Sequence, residues 1–132
     1  HRNVAQVLPS YCSMCASMSV NSSTTYRKED QGAHWTRRFK TGLERLMELR
    51  KTLPEGRIVD VRYEDTVSDP IGTASRVLKA IGLPVDTAAL EACIAANARD
   101  ARPKHKYSAE AFGLSDSSIA ADFAFYHDAY NI

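Results

Sequence analysis

Cysteine is scarce here, and so is any excess of charge of one sign. The 132 residues hold three cysteines, a small and odd number, so no disulfide framework is expected. Cys12 and Cys15 form a lone C-x-x-C. A zinc or redox reading needs a second ligand pair or a thioredoxin-like setting, and the sequence offers neither. Spacing of three places both on one helix face, where two small buried hydrophobes are the expected role. Cys93 is read the same way, and no metal site is expected. The net charge is +1, so no global field draws nucleic acid or a membrane, and basic chemistry must be local. No apolar run approaches the ~20 residues of a membrane span, and no membrane contact is expected from this segment. No signal peptide is expected in the stretch that opens at His1. A cytoplasmic location is the expectation. Asn21-Ser22-Ser23 fits a glycosylation acceptor, which matters only in a secreted or Golgi-resident protein. Repeats and low-complexity segments are absent.

What remains is an ordinary globular composition, 44% hydrophobic and 25% charged, over a length suited to one domain. A first helix is expected over about 4–20. Its apolar positions are Val4, Val7, Leu8, Tyr11, Met14, Cys15 and Met18. Residues 21–30 are polar and aperiodic and read as a loop. Trp35, Phe39, Leu43, Leu46, Met47 and Leu53 predict a second helix from about Gly32, its other faces charged and laced with ion pairs. Residues 57–63 read as a strand, because Ile58, Val59 and Val61 are β-branched. A helix on each side makes this one β-α unit of a parallel sheet, an α/β class. Asp69-Pro70 opens the next helix, with Ile71, Ala74, Val77, Leu78 and Ile81 as its buried stripe. Asp86 caps a further helix. Ser108 caps a short one that ends at Gly113. Ser115-Asp116 opens the last, with Ile119, Phe123, Tyr126 and Tyr130 packed and His127 exposed.

The opening residues carry the most chemistry. Asn3 is a good N-cap, and Gln6 completes a capping-box pattern. Arg2 then sits beside the free N–H groups of a helix start, a natural anion site. Ser10, eight residues after Arg2, offers a hydroxyl about two turns further on. Pro9 is expected to kink or restart the helix. A second basic stretch follows much later, Arg102-Pro103-Lys104-His105-Lys106-Tyr107.

Arg2, a helix, then Ser10 resembles the 3′-phosphate-binding segment of the sulfotransferases, which use 3′-phosphoadenosine 5′-phosphosulfate (PAPS). Three later segments fit that family in order. These are Arg62-Tyr63-Glu64-Asp65 with Asp69-Pro70, then Ile81-Gly82-Leu83-Pro84, then the run from Lys104 to Leu114, which resembles the KHxYSxExFGL segment of a bacterial-type branch. The resemblance covers the C-terminal half of such an enzyme. It implies a P-loop-like parallel-sheet fold whose other half, with the loop that holds the 5′-phosphosulfate, is absent.

The resemblance also implies roles. Arg2 and Ser10 would grip the 3′-phosphate, and a basic loop with Lys104, His105, Lys106 and Arg102 would close over it. The Arg-Lys-Gly loop of the cytosolic branch is missing. Tyr63 would contact adenine, its other reading being a core-edge tyrosine. His34 and Trp35 would wall the acceptor site, Trp35 being otherwise a core anchor. The catalytic base and the 5′-phosphate lysine usually precede the Arg2 segment, so no catalytic residue is named. His1 matches a scaffold position. The implied partners are an acceptor of unknown class and the missing N-terminal half of the same protein. The chain alone is expected to be inactive. Two other readings stay open: a fragment of a related P-loop nucleotide kinase, and a non-catalytic helical interaction domain.

Overall fold

Asn3 begins the first helix as its residue type suggests: its side-chain oxygen accepts from the Ala5 N–H at 2.8 Å. The structure, a computed structural model, describes residues 1–19, 25, 27–97 and 108–132. Among these, the helices in chain order are α1 Val4–Ser19, α2 Lys28–Thr52, α3 Tyr63–Ser68, α4 Pro70–Ala80, α5 Thr87–Ala96 and α6 Asp116–Tyr130. A short 3₁₀ turn spans Glu110–Phe112. The described residues fall into two compact units.

The expected strand over 57–63 does not form, and the α/β assignment is overturned. No strand or sheet is present among the described residues. β-Branched residues favour a strand, but a strand exists only through ladder bonds to a neighbour. Among the described residues the segment is met by the backbone of His1, with no ladder formed. The His1 amine donates to the Val61 carbonyl, and the His1 carbonyl accepts from the Tyr63 N–H at 2.8 Å. Tyr63 then opens α3.

The first unit contains Arg2–Thr52 and the described residues of 108–132. Its core is a stripe on α1, Val4, Leu8, Cys12 and Ala16, set against Ile119, Phe123 and Tyr126 of α6. Ala109, Phe112 and Leu114 close it. The expected stripe shares Val4 and Leu8 with this face and departs from it further along, where Cys12 and Ala16 are buried in place of Met14 and Met18. Met14 and Met18 are 51% and 68% exposed. Pro9 does not restart α1, which runs as one helix from Val4 to Ser19. α2 begins at Lys28, four residues before Gly32. Gly32 is buried inside that helix, because a Cβ there would lie 2.0 Å from the Phe112 carbonyl oxygen. The ion pairs on α2 include Lys51 with Glu48 at 2.6 Å and Lys40 with Asp122 of α6 at 3.1 Å. α6 starts with a full capping box between Ser115 and Ser118.

The second unit contains His1 and described residues 53–97. Its helix starts follow the sequence. Asp69 accepts from the Gly72 N–H at 2.8 Å with Pro70 at the first helical position, and Asp86 accepts from the Ala89 N–H at 3.0 Å. α4 ends through Gly82 at φ +76°, with the Leu83 N–H on the Leu78 carbonyl. The α4 stripe expected to be buried is only half-buried, and Ile81 is exposed.

Candidate functional site

The start of α1 differs from the expected anion site in one respect. A helix leaves its first N–H groups without internal partners, and here those of the first three residues are taken. Val4 donates to Nε2 of His127 at 3.1 Å, Ala5 to the Asn3 side chain, and Gln6 to the Asn3 carbonyl at 3.1 Å. No amide of these three is left for an anion, so any grip falls to side chains. The capping box is also modified. The Gln6 side-chain oxygen accepts from Arg2 Nε at 3.3 Å, which ties the guanidinium to the first turn. Arg2 is half-buried and Ser10 is exposed. The two are brought onto one helix start, about two turns apart.

His127 was expected to be exposed. Instead it is half-buried and closes α1 from a point 123 residues away. No local pattern marks such a contact. It is read only from the packing of α6 on α1.

Trp35 packs edge-on against Tyr11 at 4.7 Å, and Tyr11 also meets Phe39 at 5.2 Å. The Trp35 Nε1–H donates to Gln31 at 3.2 Å. Trp35 thus anchors α2 to α1 through Tyr11, and His34 lies against its ring at 4.9 Å. In the second unit, Tyr63 is the first residue of α3 and its side chain is 44% exposed. His1 Nε2 pairs with Asp60 at 2.6 Å, and Arg76 donates to the Asp60 carbonyl at 3.0 Å, which suits a scaffold role for His1. Arg102, Lys104, His105 and Lys106 lie outside the described residues.

Two cavities of the first unit lie away from these residues. One of about 390 Å³ is floored by Met47, Phe125 and Tyr130, with Arg50 5.5 Å above the Tyr130 ring. Another of about 470 Å³ is lined by Thr36, Arg37, Lys40, Ser118 and Asp122 among others. Neither is lined by Arg2, Ser10, His34 or Trp35.

The C-x-x-C behaves as two hydrophobes. Cys12 is fully buried, and burial, then the neighbouring Cys15, pushes its thiol up to about 11. Among the described residues no cluster could hold a metal ion. A raised thiol stabilises the fold below its unfolded value near 9 and loses that contribution as pH climbs to about 11. Wild-type stability is therefore expected to fall more steeply between pH 9 and 11 than that of Cys12→Ala. The difference is on the order of 2–3 kcal/mol, measured by urea unfolding. Parallel slopes would refute the assignment.

The chain belongs to the sulfotransferase family: the family model described as "Sulfotransferase family" matches residues 1–87. The matched stretch includes Arg2, Ser10, His34, Trp35 and Tyr63. Two solved structures are similar to it. Sulfotransferase STF9 from Mycobacterium avium aligns with a TM-score of 0.86 at 18% identity, over 100% of this chain and 35% of that one. Sulfotransferase STF1 from Mycobacterium tuberculosis H37Rv aligns with a TM-score of 0.79 at 27% identity, over 95% and 32%. The chain thus spans about a third of the length of either structure. No curated protein matches it. No described helix is long and apolar enough to cross a membrane.

Proposed function

We propose that this chain supplies the donor-side contacts of a sulfotransferase that moves a sulfuryl group from PAPS to a hydroxyl or amine acceptor. The observation that carries the reading is the start of α1. Arg2 stands directly before a helix whose first amides are occupied, within the segment that matches the family. The grip is then made by side chains. Arg2 meets the 3′-phosphate as a charge-assisted, fork-shaped donor. Ser10 adds a hydroxyl from further along α1. Tyr63, with its exposed ring, covers adenine. The basic run from Arg102 to Lys106 adds charge over the same phosphate. His34 and Trp35 face the acceptor side.

In the reaction the acceptor oxygen or nitrogen bonds to sulfur as the bond from sulfur to the 5′-phosphate oxygen breaks. The acceptor's proton passes to a base, and 3′-phosphoadenosine 5′-phosphate (PAP) departs. Such a transfer depends on alignment and on stabilising charge, as phosphoryl transfer does. The 3′-phosphate is remote from the reacting sulfur. Its binding fixes the donor and separates PAPS from ATP. The base and the 5′-phosphate contacts come from the rest of the protein, so this chain alone is inactive.

Calorimetric titration of PAP against ATP tests the reading. Preference for PAP is the expected result. Preference for ATP would favour a nucleotide kinase. Binding of neither would leave the helical interaction domain as the better description.

A further inference from the structure

We propose that His127 is a positioning residue of the phosphate grip. It fixes the start of α1 and, through it, the backbone that carries Arg2. The inference rests on the phosphate reading above.

Val4 is the first residue of α1, so its N–H finds no acceptor within the helix. His127 Nε2 takes that N–H at 3.1 Å. A nitrogen that accepts from an N–H carries no proton itself, so this is the neutral ring with its hydrogen on Nδ1. Two further bonds lock the same turn, from Ala5 to the Asn3 side chain at 2.8 Å and from Gln6 to the Asn3 carbonyl at 3.1 Å. Arg2 precedes Asn3 directly, and its Nε donates to Gln6 at 3.3 Å. The guanidinium is therefore bound to a turn whose outermost amide is held from α6.

α6 is a firm point to hold from. Ile119 and Phe123 on it are 1% and 0% exposed, and Tyr126, next to His127, is buried too. The consequence for binding follows from the closed amides. With none of these three amides offered to the anion, affinity depends on where side chains aim, and Arg2 aims from this turn. Loss of the acceptor leaves the Val4 amide without its partner in a partly buried place. The turn then re-forms around another arrangement, because an unpaired buried donor is costly. Arg2 loses its direction while the core of the unit persists.

The experiment uses the whole chain and PAP as the probe. His127→Phe keeps a ring and removes the acceptor. His127→Gln restores an acceptor of similar reach. PAP affinity is measured by calorimetry, Val4 amide exchange by NMR, and folding by circular dichroism. His127→Phe is expected to bind PAP about tenfold more weakly, the scale of one hydrogen bond, with faster Val4 exchange. His127→Gln is expected to stay within about threefold of wild type and to keep Val4 protected. Unchanged PAP affinity in His127→Phe, with Val4 exchanging faster, would overturn the proposal and leave a purely structural cap. Equal losses in both variants would overturn it, because the restored acceptor would then have failed to restore binding. Should His127→Phe not fold, His127→Gln decides alone: a tenfold loss in a folded chain refutes the role of the acceptor. If wild type itself has no affinity for PAP while Val4 is protected, the phosphate reading fails and takes this proposal with it. That failure is seen in the wild type, before any variant is made.

Discussion

Gly32→Ala is expected to destabilise the α1–α2–α6 unit strongly, whereas Gly42→Ala in the same helix is expected to stabilise it. A Cβ on Gly32 would stand 2.0 Å from the Phe112 carbonyl oxygen and 2.7 Å from Leu114 Cγ. The first is a backbone atom in a 3₁₀ turn, and that turn is followed by Gly113 at φ +68°. It cannot step aside without undocking Phe112 and Leu114, both of which are buried core residues. Overpacking costs typically about 1–3 kcal/mol, and with a backbone atom in the way the upper end, about 3 kcal/mol, is expected. A Cβ on Gly42 would meet nothing within 4 Å. There the only change is the helix preference of alanine over glycine, a gain of about 0.5–1 kcal/mol. Urea unfolding of the two variants should therefore move in opposite directions from wild type. A Gly32→Ala chain as stable as wild type would mean that α2 and the turn do not approach this closely.

Phe123→Ala is the second large effect. Phe123 is fully buried and shares one cluster with Leu8 and Cys12 of α1 and Ile119 of α6. Truncating a buried phenylalanine costs about 3–5 kcal/mol, from lost burial and the cavity left behind. Small domains hold only about 5–15 kcal/mol in all, so much of the unit's stability should vanish. Met18→Ala is the contrast. Met18 is 68% exposed, and a change within about 0.5 kcal/mol is expected. Thermal melts of both variants check the phase of α1. Comparable losses would place Met18, and not Cys12 and Ala16, on the buried face.

That phase illustrates what the sequence could and could not convey. Caps were legible because they are local. Asp69, Asp86 and Ser115 each bond a backbone N–H three residues on, which residue type alone announces. The α6 stripe was legible for the same reason. On α1 the sequence offers several apolar faces, and the one that wins is chosen by α6, far along the chain. Gly32 reads locally as a poor helix former near a helix start. Its reason is a carbonyl 80 residues away, at Phe112. The 57–63 run reads as a strand from its β-branched residues, yet a strand is a property of two segments, and among the described residues His1 meets it without forming a ladder. In the candidate site, Arg2, Asn3 and Ser10 stood out by type and spacing. The closure of the α1 amides by His127 did not, since it joins opposite ends of the chain.

The claim that matters most is that Arg2 reads a 3′-phosphate. The most direct test titrates PAP and adenosine 5′-phosphate, which differ only in that group, into the chain and into its Arg2→Ala form. With one guanidinium on the phosphate, the wild type should bind PAP about 10–100-fold more tightly, as a charge-assisted hydrogen bond allows. Arg2→Ala should lose most of that preference, Ser10 and the basic run keeping the remainder. Equal affinities in the wild type, or a preference for PAP undiminished in Arg2→Ala, would contradict the account.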